Sequence, residues 1–195
     1  MSYSREGQDV WVLSQVTEPG YFVEVGARDG VKTSNSLLLE QNGWTGVCVE
    51  ADVSNFHRLV ANRPKAKNFN CAVYHTDGEE VKFFLGESSG CGSIYEGDHQ
   101  SGSVTVVKTK TLTSILKESE APTNIDYISV DVEGAELDVL KGFNFEKYKV
   151  DYWTVEHSNF GKTPIMTSIL EMMISHGYEV CEQTQASHEF WFKRS

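Results

Sequence analysis

No run of this sequence approaches the roughly 18 apolar residues that a membrane span needs. Its start, Met1-Ser-Tyr-Ser-Arg-Glu-Gly-Gln8, lacks the apolar stretch of a secretory leader, so the reading is a protein neither targeted nor embedded. Only four cysteines are present, Cys48, Cys71, Cys91 and Cys181, and none pairs as C-x-x-C. Two sit in apolar runs as small hydrophobes do, which implies reduced thiols and a cytoplasmic setting. Positive charge is also short: 17 Lys and Arg face 28 Asp and Glu, a net charge of -11. That balance disfavours a nucleic-acid backbone or an anionic membrane surface as partner. The one basic cluster, Arg58, Arg63, Lys65 and Lys67, reads as a solvated face. Repeats, low-complexity tracts and composition breaks are missing as well, so residues 1–195 read as a single domain, long enough to bury a core without disulfides.

The stretch around which the rest is arranged is Tyr-Phe-Val-Glu-Val followed by Gly26-Ala27-Arg28-Asp29-Gly30. It reads as a buried strand, a tight turn and the approach to a helix, with two glycines where a ligand comes close to the backbone. In an open α/β sheet that point lies beyond the carboxyl end of a strand, where ligands bind. A second apolar run, 44–49, closes on Glu50, 20 residues after Gly30, the distance at which an acid reaches ribose hydroxyls. A nucleoside is therefore the expected ligand. The dinucleotide fingerprint fails, because the glycine positions after Gly26 hold Arg28 and Val31, and the Walker phosphate loop is absent. Glu24-x-Gly26 instead resembles the first motif of Rossmann-like S-adenosylmethionine-dependent methyltransferases, where an acidic strand end suits a cationic cofactor.

Along the chain, a short amphipathic segment at 9–15 precedes the first strand. Helices are expected at 34–41 and 53–62, with strands at 44–50 and 68–73 between and after them, giving βαβαβ and a parallel sheet. Strands at 80–85 and 104–110 form a hairpin whose long tip includes Ser88-Ser89-Gly90-Cys91-Gly92-Ser93, a segment that either closes over a substrate or has no role. A helix at 111–117, a strand at 126–130, a helix at 133–141 and a strand at 151–155 follow. Thr163-Pro164 opens a helix to His176, and 178–182 with 188–192 end the chain as an antiparallel pair.

Seven strands with an antiparallel last member is the layout of class I methyltransferases: an α/β, Rossmann-like, mostly parallel sheet with helices on both faces. The stretch Ile128-Ser-Val-Asp131-Val-Glu133-Gly134-Ala-Glu136-Leu-Asp-Val-Leu140-Lys-Gly142-Phe143 resembles the signature of FkbM-type methyltransferases. Tyr3-Ser4-Arg-Glu-Gly7-Gln8-Asp9, the 26–30 loop and Gly43-Trp44-Thr-Gly46-Val-Cys-Val-Glu50 agree with it, so the likeness spans nearly the whole chain. One departure is Arg28, where the family usually has Asn.

The resemblance implies that Glu24 and the loop residues Gly26, Ala27, Asp29 and Gly30 hold the methionine part of S-adenosylmethionine, with Asn35 and Ser34 at its carboxylate. It implies further that Glu50, next to Ala51, takes the ribose and that 70–73, Ala72 included, lies beside the adenine. Asp131 and Glu133 end the fourth strand, facing the transferred methyl, and Glu156-His157 ends the fifth at the same edge. Asp131, Glu133 and His157 are the catalytic candidates, with Glu133 and Glu136 also open to a purely structural reading at a helix start. Two chemistries stay open: Asp131 and Glu156 bind Mg2+ or Mn2+, or His157 or Asp131 takes the proton directly. The expected activity is methyl transfer to a hydroxyl of a sugar or glycan. Alternatives are a non-sugar small-molecule acceptor, a noncatalytic nucleotide-binding or assembly domain cut from a longer chain, and an NAD-dependent oxidoreductase, which the glycine spacing disfavours.

Overall fold

A computed structural model describes residues 1–86, 91–96, 102–157, 163–182 and 188–195. The elements in chain order begin with α1 (Gln8–Gln15), β1 (Tyr21–Val25), α2 (Leu37–Gln41), β2 (Thr45–Val49), α3 (Val53–Asn62), β3 (Lys67–Phe69) and β4 (Ala72–Val73). Next come β5 (Glu80–Leu85), β6 (Gly92–Ser93), β7 (Val104–Lys110), α4 (Leu112–Glu118), β8 (Asn124–Val130) and α5 (Glu136–Lys141). The chain ends with β9 (Lys149–Glu156), α6 (Thr163–Ser175), β10 (Tyr178–Glu182) and β11 (Glu189–Arg194).

The main sheet has seven strands in the order β10-β11-β9-β8-β1-β2-β3. Its strands run parallel except β11, which is antiparallel to both neighbours. The central strands are apolar on both faces because both are covered. Val23, Val25, Val47, Val49, Ile128 and Val130 face the layer built with α4, α5 and α6. Phe22, Cys48 and Tyr127, the alternate residues, face Val12, Leu39 and Leu59 from α1, α2 and α3. Burying each such aliphatic side chain contributes ~1.5–3 kcal/mol.

Three expected elements change. The strand read at 68–73 breaks at Asn70, whose side-chain amide donates to the carbonyls of Glu50 and Ala51. β3 stays in the main sheet, and β4 leaves it to pair with β7 in a second sheet, β4-β7-β5-β6. α2 begins three residues later than expected, since the Ser34 hydroxyl accepts from the Leu37 amide and donates to Glu24, ordering 34–36 as a turn. α5 also starts later, because Glu133 (φ 57°) and Gly134 (φ 108°) are left-handed and cannot open a right-handed helix. The hairpin at 80–85 and 104–110 is present and antiparallel. Ser88, Ser89 and Gly90 lie outside the described residues. No helix among the described residues is long and apolar enough to cross a membrane.

Candidate functional site

Strand register generates the site. Val25 pairs with Val49 on β2 and with Val130 on β8, and Val130 pairs with Val155 on β9. The next residue of each strand therefore falls in one row at the carboxyl edge: Glu50, Gly26, Asp131, Glu156. The row is extended by Glu189, which lies directly opposite Glu156 on antiparallel β11. A cleft of about 290 Å³ opens along this row and is lined by all five of these residues, with Ala51, Ala72, Asn35, Arg28, Glu133 and Gln8 among the rest of its wall.

At the β2 end, Glu50 is 6% exposed. Its Oε2 accepts from the Arg28 amide at 2.7 Å and its Oε1 from the Asp52 amide at 2.8 Å. Each oxygen keeps a lone pair for a further donor, such as a ribose hydroxyl. Burial pushes this carboxyl up to about 7 despite the two amides. Ala51, Cys71, Ala72, Val73 and Phe83 give this end an apolar wall, which suits a nucleobase.

The loop 26–30 turns under the row. Gly26 (φ 87°) donates its amide to the Val49 carbonyl, as does Ala27, both at 3.0 Å. A Cβ at Gly26 would lie 1.8 Å from the Asp131 carbonyl oxygen, so only glycine fits. Ala27 and Gly30 are buried beneath the loop, Gly30 against Leu59 and Arg63. Asp29 accepts from the amides of Val31 and Lys32 and shapes the turn. None of Ala27, Asp29 and Gly30 reaches the main cleft.

Glu24 likewise points below the loop, not into the cleft. Its carboxylate accepts from the Ser34 and Ser36 hydroxyls and the Asn35 amide, and Arg63 stands 3.6 Å away. The side chain expected to meet the methionine part thus anchors the segment that lines the cleft through Thr33 and Asn35. Arg63, read in the sequence as part of a solvated face, is fully buried here. Asn35 is 5% exposed and lines the cleft, and its Nδ2 donates to the Ser129 hydroxyl at 2.8 Å.

At the β8, β9 and β11 end, carboxylates crowd. Oxygens of Asp131, Glu133 and Glu156 all lie within 4.8 Å of one another. Burial and the charge of Asp131 drive the Glu156 carboxyl far above its usual range. Burial raises Asp131 as well, opposed by the hydrogen bond with Glu156. Glu136 sits just below, accepting from the Val132 and Gly134 amides, and burial lifts it to about 7. It ties down the left-handed turn that presents Glu133.

His157 does not join them. Its ring is 4% exposed, packs on Phe190 at 4.3 Å between centroids and is absent from the cleft wall. Neither ring nitrogen has a hydrogen-bond partner among the described residues. Burial holds the imidazole below its usual pKa. Side chains alternate along a strand, so Glu156 facing the cleft sends His157 the other way.

Sequence reasoning missed Glu189. Its Oε1 accepts from Gln8 Nε2 at 2.5 Å and its Oε2 from the Trp191 indole at 3.0 Å, while burial raises it to about 7. Gln8 is carried by an N-terminal turn wound on Asp9, which accepts from the Ser2 and Ser4 hydroxyls and the Tyr3 amide. The available signal is the motif Tyr3 to Asp9, which carries Gln8 but fixes no position in space.

Residues 24–180 match the sequence family described as the Methyltransferase FkbM domain. The chain belongs to the FkbM methyltransferase family. No curated protein sequence matches it significantly. Several solved structures share the fold of this FkbM domain. A precorrin-6y C5,15-methyltransferase from Geobacter metallireducens superposes with TM-score 0.52 at 10% identity, covering 94% of this chain and 85% of the other. A TehB-like SAM-dependent methyltransferase from Corynebacterium glutamicum gives 0.51 at 11% identity, covering 97% and 88%. M. capricolum TrmK, solved with S-adenosylhomocysteine, gives 0.51 at 10% identity, covering 97% and 67%. The chain is thus an FkbM methyltransferase by family, with the class I methyltransferase fold.

Proposed function

We propose that this FkbM domain moves the methyl group of S-adenosylmethionine to a hydroxyl oxygen of a sugar or glycan. The observation that carries the reading is the row of carboxylates, Asp131, Glu156 and Glu189, continuing directly from the nucleoside end of the same cleft. Carboxylates accept hydrogen bonds from hydroxyls and take the proton that a hydroxyl loses as it is methylated. The cofactor supplies an electrophilic methyl on a sulfonium, whose positive charge suits an acid-rich wall. Glu50 holds the ribose through its two remaining lone pairs, and Ala51 and Ala72 flank the adenine. Asp131 orients the acceptor hydroxyl toward the methyl, so that much of the rate gain comes from alignment. With His157 turned away, the proton goes to the carboxylates. A net charge of -11 disfavours a nucleic-acid acceptor.

Calorimetry is expected to show binding of S-adenosylhomocysteine and none of NAD, and mass spectrometry of a glycan panel a product heavier by one methyl. Tighter binding of NAD would overturn the cofactor assignment, and methylation confined to non-sugar acceptors would overturn the substrate class.

The donor set of Asp131, Glu133 and Glu156 is all oxygen, as a hard divalent cation requires, and one buried Glu156 oxygen has no partner among the described residues. These residues would hold Mg2+ or Mn2+, which there lowers the pKa of a bound hydroxyl. Exhaustive chelation is expected to remove turnover and added Mg2+ or Mn2+ to restore it. Full activity in chelator would leave the proton with the carboxylates alone.

A further inference from the structure

The middle of the cleft, between Glu50 and Asp131, is lined by Arg28, Thr33 and Asn35. Arg28 and Thr33 both have left-handed backbones, φ 53° and 59°, although neither is glycine. Backbone held in such a conformation is a feature of ligand-binding loops. Arg28 lines the cleft, its amide donating to Glu50 Oε2 and its Nη1 to Thr33 Oγ1 at 3.4 Å. The guanidinium charge acts on both Glu50 and Asp131. Asn35, opposite in role, presents a buried Oδ1 with no hydrogen-bond partner, while its Nδ2 is fixed by Ser129.

An amino-acid tail has the complementary groups, one carboxylate and one ammonium. Resting on the assignment of S-adenosylmethionine to this cleft, we propose that Arg28 binds the α-carboxylate of the cofactor and the orphaned Asn35 oxygen its α-ammonium. The sequence reading gave the carboxylate to Asn35 and Ser34. Asn35 has its amide engaged and an acceptor to spare, and the Ser34 hydroxyl is spent on Glu24, so both suit the carboxylate poorly. Among the described residues the other cation on the main cleft wall is Arg5, whose side chain is 67% exposed and lies 3.7 Å from Glu6. Arginine places a formal charge at this point of the wall. A charged, forked donor holds a carboxylate more tightly and rejects a tailless nucleoside more sharply.

The test compares S-adenosylhomocysteine with 5′-methylthioadenosine, which keeps the nucleoside and lacks the amino-acid tail. Arg28→Asn is suitable because Asn tolerates a left-handed backbone, and Arg28→Lys retains charge without the fork. For Arg28→Asn we expect S-adenosylhomocysteine affinity to fall roughly 10- to 100-fold, the range for a hydrogen bond to a charged group, with methylthioadenosine affinity unchanged. Arg28→Lys should fall between, and thermal unfolding should report an intact fold. Asn35→Leu should cost S-adenosylhomocysteine alone in the same way. Equal losses for both ligands, no loss for either, or a tail-specific loss in Arg5→Ala in place of Arg28→Asn, would each overturn the proposal. Failure of the wild-type protein to bind either nucleoside would instead overturn the cofactor assignment.

Discussion

Asp131→Asn is expected to abolish turnover, by roughly 10²- to 10⁴-fold as for removal of a positioned acid or base, and to leave the fold intact. The position explains the size of the effect. Asp131 is the residue of the row where the two halves of the cleft meet, beside Gly26 of the 26–30 loop and against the Glu156 carboxyl. Asparagine has the same shape and removes one negative charge from a crowded group, so thermal unfolding should occur at or above the wild-type temperature. His157→Phe is the companion variant. Because the imidazole packs on Phe190 and faces away from the cleft, its turnover should stay within a few-fold of wild type. Steady-state assays with the best acceptor found in a panel decide both. Near-normal turnover in Asp131→Asn would mean that the active site lies elsewhere, and its loss in His157→Phe would return the proton to the imidazole.

Gly26→Ala should destabilise the domain by about 3 kcal/mol or more, since a left-handed residue with a side chain and an overpacked contact add their costs. The atom a methyl would strike is the backbone carbonyl of Asp131, 1.8 Å away, which cannot swing aside as a flexible side chain would. Moving that carbonyl shifts the Asp131 carboxylate as well, so cofactor affinity and turnover should fall in whatever fraction remains folded. Chemical denaturation with a parallel S-adenosylhomocysteine titration measures both. Wild-type stability would show that the loop has another conformation open to it.

The sequence was most informative where chemistry follows directly from chain order. The strand-turn-helix at Tyr21 to Gly30 and the acids closing β2 and β8 are local, and strand-end acids of a parallel sheet share one edge by construction. Reading went astray where a residue's direction matters more than its position. Glu24 and Glu50 both look like strand-end acids, yet one faces down into the serines of 34–36 and the other faces the cleft. The adjacent pair Glu156 and His157 reads as one edge in the sequence, although strand alternation separates them. Asn70 reads as an interior strand residue, yet its side-chain amide caps the carbonyls of Glu50 and Ala51. Glu189 is out of reach of any local pattern, because it joins the row only through the antiparallel pairing of β11 with β9.

Arg63 has a consequence for how such a cleft can diverge. Its guanidinium reaches Glu40, the Gly30 carbonyl and the hydroxyls of Ser34 and Ser36, tying α3 to both ends of the loop from underneath. The loop's shape is therefore secured by groups that no ligand touches. Arg28, on its upper side, joins that scaffold through its backbone amide to Glu50, so natural variation or deliberate redesign can exchange its side chain to alter ligand preference while the architecture is inherited unchanged. The reverse does not hold: a substitution at Arg63 strands Glu24 and Glu40 in the interior and removes the foundation on which any upper-side variant depends.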